Sequence, residues 1–110
     1  MITRYALFEG SVHPSREADF RTAVLETIVP CWTAFPGALD VRVTFTDARD
    51  EGAPIYPLIL AISYPDTEVL ERALASEART HAIAATNAVM GEYFTGRIHH
   101  HVTQAHVYPL

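Results

Sequence analysis

The stretch Pro57-Leu58-Ile59-Leu60-Ala61-Ile62-Ser63-Tyr64 constrains the fold more than any other part of the chain. In extended backbone successive side chains point to opposite faces, so Leu58, Leu60, Ile62 and Tyr64 share one side and Ile59 and Ala61 the other. Both sides are apolar, as in a strand covered on two faces. At eight residues the run is far too short to cross a bilayer, which takes about 20, so it reads as core and not as a membrane anchor. Material must lie above and below this strand.

The rest of the chain supplies that material in a readable order. Residues Ile2 to Glu9 read as a first strand, with turn chemistry in Gly10-Ser11 and His13-Pro14-Ser15. From Ser15, expected as N-cap, the apolar positions Phe20, Val24, Ile28, Cys31 and Phe35 recur at threes and fours, and Glu17 and Arg21 are spaced to pair on the outer face. This predicts an amphipathic helix. Pro30 inside it removes a backbone donor and crowds the carbonyl of Glu26, so a kink is expected before Trp32, and Pro36-Gly37 ends the helix. Leu39, Val41, Val43 and Phe45 then alternate with polar residues as a half-buried strand. A polar connection from Asp47 to Pro54 joins it to the two-faced strand, making the two hairpin neighbours.

Pro65-Asp66-Thr67 opens a short helix with Asp66 or Thr67 as N-cap, and Val69, Leu70, Ala73 and Leu74 form its inner stripe. Ser76 reads as the N-cap of a longer helix from about Ala78 to Phe94, whose inner face is expected at Ile83, Asn87, Met90 and Phe94. Gly96 fits a left-handed helix cap, and a final strand follows from Arg97 to Tyr108. The order strand, helix, strand, strand, helix pair, strand predicts α+β architecture of ferredoxin-like βαββαβ type: a four-stranded antiparallel sheet with helices on one face. Residues 1–110 are read as one domain. Helices on one face leave the other face of the two-faced strand bare, so a homodimer joined through sheet faces is expected.

Charge narrows the partners. The chain carries a formal charge of -5 and only eight basic residues, all arginine, which excludes a surface that tracks nucleic-acid or lipid phosphates. A small apolar or aromatic molecule is the expected partner, with no nucleic acid and no membrane. The single cysteine, Cys31, rules out an internal disulfide framework and a cysteine metal site, and it continues an apolar stripe as a buried structural thiol. The N-terminus lacks a basic start followed by an apolar run, and the expected location is cytoplasmic.

Four segments carry a family resemblance: Tyr5-Ala6-Leu7-Phe8-Glu9-Gly10, Trp32-Thr33-Ala34-Phe35-Pro36-Gly37-Ala38, Asp50-Glu51-Gly52-Ala53-Pro54 and Gly96-Arg97-Ile98-His99-His100-His101-Val102. Together they resemble the EthD-like group of the dimeric α+β barrel superfamily. The resemblance implies a dimeric α+β barrel with a ligand cavity between each subunit's helices and its sheet. Relatives include cofactor-independent monooxygenases, haem-degrading oxygenases, muconolactone isomerases and stress-responsive proteins. It implies no residue-by-residue catalytic set, so functional candidates rest on the residues themselves.

Four of the six histidines fall in the last segment. Alternation puts His99 and His101 on one face and His100 on the other, with His106 on the His100 side. His99 and His101 stand about 6.6 Å apart along a strand, a spacing that suits one metal ion if His13, Asp50 or Glu9 supplies a third ligand; the alternative is histidines packed at an interface. His100, alongside Ile98 and Val102, is a candidate general base if that face meets the helices, against the alternative of a satisfied core or interface histidine. His81 falls opposite the predicted inner face at roughly 100° per residue, so it reads as solvated and not as a haem ligand. Asn87 on an apolar stripe needs a partner, which makes it a pocket candidate. Tyr64, Trp32 and Arg79 add a hydroxyl, an indole N–H and a fixed positive charge, against their bland roles in core, interface or surface. The leading reading is a small-molecule-handling protein of EthD-like kind, a cofactor-independent oxygenase or isomerase with no cofactor expected. The alternatives are a non-catalytic dimeric ligand-binding or accessory protein and a His-ligated metal enzyme.

Overall fold

The two-faced apolar run forms β3 (Leu58–Tyr64), an inner strand of a four-stranded antiparallel sheet of order β2-β3-β1-β4, in a computed structural model that describes all residues from Met1 to Leu110. The other strands are β1 (Ile2–Val12), β2 (Asp40–Phe45) and β4 (Phe94–Gln104). β1 is the second inner strand, pairing with β3 from Ile2↔Tyr64 to Phe8↔Leu58 and with β4 from Ile2↔Gln104 to Val12↔Phe94. This register puts Arg4, Ala6 and Phe8 in line with Ile62, Leu60 and Leu58 on one side and with Val102, His100 and Ile98 on the other. That face carries the helices, and the fold is the expected ferredoxin-like one. No helix is long and apolar enough to cross a membrane.

Between β1 and β2 the chain forms α1 (Glu17–Ala23), a π-helical turn (Val24–Ile28) and α2 (Val29–Trp32) in one continuous rod. The proline that predicts a kink is accommodated by the wider turn that precedes it. Without an N–H, and with its ring against the carbonyl one turn back, Pro30 cannot complete an α-helical ladder, and the π turn absorbs the mismatch. The wider turn also corrects the drift of the inner stripe, so every fourth residue returns inward: Phe20, Val24, Ile28 and Trp32 are all buried. Cys31 is displaced from the stripe. It is half-exposed, its thiol directed at the Thr27 carbonyl, and not the buried thiol expected. Ser15 does not cap the helix either; it takes a left-handed conformation with φ 66°, and Arg16 occupies the capping position without a side-chain bond to the helix's free N–H groups.

Asp66 caps α3 (Thr67–Leu74) as expected, accepting from the Val69 N–H at 2.9 Å. Ser76 precedes α4 (Glu77–Tyr93), but its hydroxyl donates back to the Ala73 carbonyl at 2.6 Å and closes α3 instead. The buried positions of α4 are Ala82, Thr86, Val89 and Met90, a stripe rotated from the one expected; Ile83 is 49 % exposed and Asn87 is exposed too. Ala82 and Thr86 are buried because α4 packs closely on the π turn and α2. β4 starts directly at Phe94, so Gly96 is a strand residue and not a helix cap. Its role is close approach: it lies opposite Gly10, and a Cβ at either position would strike the other strand's backbone and the Phe94 ring. β4 also ends at Gln104, which leaves Ala105 to Tyr108, His106 included, outside the strand.

Four phenylalanines close one end of the helix–sheet layer. Phe20 of α1 stacks on Phe94 of β4 at 6.4 Å and meets Phe45 of β2 edge-on, while Phe94 meets Phe8 of β1 edge-on. One helical side chain thus ties down two strands, one at each edge of the sheet. Replacing Phe20, which is 0 % exposed, with Ala removes a ring from this cluster. Urea unfolding should show a loss of about 3–5 kcal/mol.

Candidate functional site

At the other end of the same layer the helices and sheet do not meet completely. They leave a cavity of about 240 Å³. Its floor is the helix-facing side of the sheet, with Ala6, Phe8, Leu60, Ile62 and Tyr64, and its back wall is Trp32 and Phe35. Ile83 and Asn87 of α4 and His100 of β4 both line the cavity and reach solvent, which makes them its mouth. The five residues singled out as pocket or catalytic candidates, Trp32, Tyr64, Arg79, Asn87 and His100, come from four different elements and meet here.

Each arrives by a local rule. The π turn returns Trp32 to the inner stripe. Tyr64 ends the buried alternation of β3 and is 1 % exposed. Arg79 sits in the first turn of α4, with Nη1 donating to the Leu74 carbonyl at 3.3 Å across the α3–α4 break. Asn87 lines the cavity from the exposed shoulder of α4, not from its buried stripe. His100 pairs in register with Ala6, so alternation aims its ring at the helices. Arg4 is the residue that sequence reasoning missed. It shares strand parity with Ala6 and Phe8, and a charge on the buried face of a strand was the available signal.

Apart from Arg79, which donates to the Leu74 carbonyl, the polar candidates of this cavity lack partners within the chain. The Tyr64 hydroxyl, the Trp32 indole N–H, the Arg4 guanidinium, the Asn87 amide and the His100 ring make no intramolecular hydrogen bond, yet no buried polar side-chain atom is sealed off unsatisfied. Tyr64 and Trp32 are buried, Arg4 is half-buried, and Asn87 and His100 stand at the mouth, so five unpaired polar groups open onto one apolar cavity, the pattern of a ligand site.

Electrostatics sharpen the picture. Burial lowers the His100 pKa from its ordinary 6.5, and the positive charges of Arg4, Arg79 and His99 lower it further. The imidazole is therefore neutral near pH 7 and free to accept a proton. Burial raises the Tyr64 pKa above its ordinary 10, with the Arg4 charge acting in the opposite sense, so the hydroxyl stays protonated and can donate. Arg4 is itself pushed down by burial and by Arg79, yet it remains a cation.

The remaining candidates lie elsewhere. His99 and His101 are on the open face of the sheet, opposite Leu7 and Tyr5. His99 Nε2 is 2.8 Å from Glu9 Oε1, and Arg97 is 3.6 Å from the same oxygen. His13 bonds Thr95 at 3.0 Å, and no three His, Cys, Asp or Glu side chains converge on a point that could hold a metal ion. His99 and His101 form no such group with His13, Asp50 or Glu9. Within the acidic loop an arginine fixes Asp47, through Arg21 at 3.1 Å. His81 is exposed.

No protein-family model matches the chain, and no curated protein matches it in sequence. Solved structures do share its fold. An ethyl tert-butyl ether d (EthD) family protein from Bacillus halodurans C-125 is 20 % identical, with a TM-score of 0.71 over 96 % of this chain and 99 % of that one. A dimeric protein of unknown function and ferredoxin-like fold from Bacteroides fragilis is 10 % identical, with a TM-score of 0.66 over 94 % and 95 %. SnoaB, a cofactor-independent oxygenase from Streptomyces nogalater, is 18 % identical, with a TM-score of 0.63 over 97 % and 94 %. The ferredoxin-like fold is thereby established by comparison as well as by topology.

The depressed His100 pKa has a thermodynamic consequence. Between the folded-state pKa and about 6.5 the unfolded chain holds more protons than the folded one, so stability rises with pH across that window. Thermal unfolding should show this rise on going from mildly acidic to neutral pH, and His100→Gln should flatten it.

Proposed function

We propose that the protein is a small-molecule enzyme that removes a proton from its substrate without a bound cofactor, as an oxygenase or isomerase. The observation that carries this reading is the His100 imidazole at the mouth of an apolar cavity that also presents two guanidinium groups, with partial burial and those charges lowering its pKa. Loss of a proton from a carbon beside a carbonyl leaves an enolate. His100 accepts the proton, the electron pair moves onto the oxygen, and Arg4 and Arg79 face the charge that develops. Tyr64 and Asn87 supply neutral donors that orient the molecule, and Trp32 and Phe35 exclude water behind it.

The enolate then has two outlets. Return of the proton to a different carbon gives an isomer. Reaction with dioxygen gives a hydroperoxide that loses water, so a methylene becomes a carbonyl and one oxygen atom leaves as water. The likeness in fold to SnoaB, itself a cofactor-independent oxygenase, favours the second outlet.

The working unit is a homodimer. The open face of the sheet carries half-buried Tyr5, Leu7 and Ile59 at its centre, side chains whose burial a second sheet would complete. One fold relative is described as dimeric. Light scattering at micromolar concentration should return twice the 12.2 kDa mass of one chain, and a mass of one chain would contradict the arrangement.

Oxygen consumption with a panel of quinol and anthrone-like compounds tests the chemistry. His100→Gln should lower the rate by about 10²–10⁴-fold, the usual contribution of a general base, with a smaller effect on KM. Isomer formation without oxygen uptake would select the first outlet. Neither activity in any compound, with no ligand raising Tm, would overturn the enzyme reading.

A further inference from the structure

The chain carries thirteen acidic residues, yet none of them lines the cavity that holds Arg4 and Arg79. Of the other six arginines, Arg49 and Arg72 are exposed to solvent and have no carboxylate within 4 Å, whereas Arg16, Arg21, Arg42 and Arg97 each lie within 4 Å of one. Arg4 and Arg79 do not, and Arg79 satisfies only one N–H, on the Leu74 carbonyl. The two cations are near enough for Arg79 to disfavour the charge on Arg4. Holding two half-buried like charges near one another without a counter-ion is unfavourable. The arrangement becomes favourable once an anion enters between them.

We propose that the substrate of this pocket is a small unsaturated or aromatic carboxylate, its carboxylate held between Arg4 and Arg79 and its apolar body lying on Phe8, Leu60 and Trp32. This rests on the reading of the cavity as the reaction site and names the class of molecule it takes. A carboxylate is chosen over a phenolate because it is ionised throughout the physiological pH range, and its planar pair of oxygens matches the guanidinium fork. The apolar floor and back wall require a flat hydrocarbon body, and about 240 Å³ limits that body to one or two rings.

Matched probes test this. Isothermal titration calorimetry should give 2-naphthoate an affinity at least about tenfold tighter than 2-naphthamide, a neutral molecule of nearly the same shape. Arg79→Gln and Arg4→Gln should each bring the ratio towards one. Arg42→Gln, on the opposite face of the sheet, should leave it unchanged and serves as the folding and charge control. Equal binding of the two probes, binding of neither at millimolar concentration, or a preference that survives both pocket substitutions would overturn the proposal. His100→Gln separates it from the reaction reading: retained carboxylate preference with lost turnover supports both. Carboxylate preference in the parent protein without any oxygen uptake or isomerisation supports this proposal and defeats the enzyme. Turnover of neutral compounds with no carboxylate preference does the reverse.

Discussion

Contact between Phe20 and the strands sets the distance between the helical layer and the sheet, and the rest of the molecule follows from that spacing. Phe20 reaches Phe45 on one edge strand and Phe94 on the other, and Phe94 reaches Phe8 in the middle of the sheet. Rings of this size hold the layers apart as firmly as they hold them together. Where the phenylalanines fill the gap the layer is solid. Towards the far end of the strands the residues opposite the sheet shrink to Ala82 and Thr86, and the gap remains open as the cavity. Core packing and pocket are two ends of one wedge.

Two backbone devices let that wedge form. The π turn before Pro30 keeps Phe20, Val24, Ile28 and Trp32 on one line, so the same helical rod that anchors the solid end also supplies the indole wall of the open end. The Gly10–Gly96 pair lets β1 and β4 approach closely beneath the Phe94 ring, seating it against Phe8. Beyond that point β4 runs on past Ile98 and brings His100 over the cavity. The catalytic candidate is thus placed by ladder register from a packed aromatic anchor six residues earlier, a more rigid mounting than a loop would give.

Much of this was legible in the residues because period-two and period-four patterns report directly on burial. The alternation of β2 and the two-faced run of β3 gave the sheet, and parity alone separated His100 from His99 and His101. What escaped the reading has physical causes. The inner stripe of α4 was read at Ile83, Asn87, Met90 and Phe94; Met90 and Phe94 are buried, but close packing buries Ala82 and Thr86 where Ile83 and Asn87 were expected. The position of Cys31 depended on whether Pro30 would bend the helix or widen it, and propensity does not distinguish these. Arg4 was overlooked because the net charge of -5 invites the expectation of neutral partners, while the deciding fact is local: two arginines with no acidic residue beside them. The histidine triplet looked like a metal site only until its faces were assigned; Glu9 and Arg97 then accounted for His99.

The central claim is that His100 is held neutral by its burial and by the Arg4 and Arg79 charges, ready to take a proton in an apolar pocket. The most direct measurement is a ring-nitrogen NMR titration of His100 in the parent protein and in Arg4→Gln and Arg79→Gln. The account predicts a pKa below the ordinary 6.5 that moves upward when either arginine is removed. A His100 that titrates at or above 6.5, or that does not respond to either substitution, would contradict it.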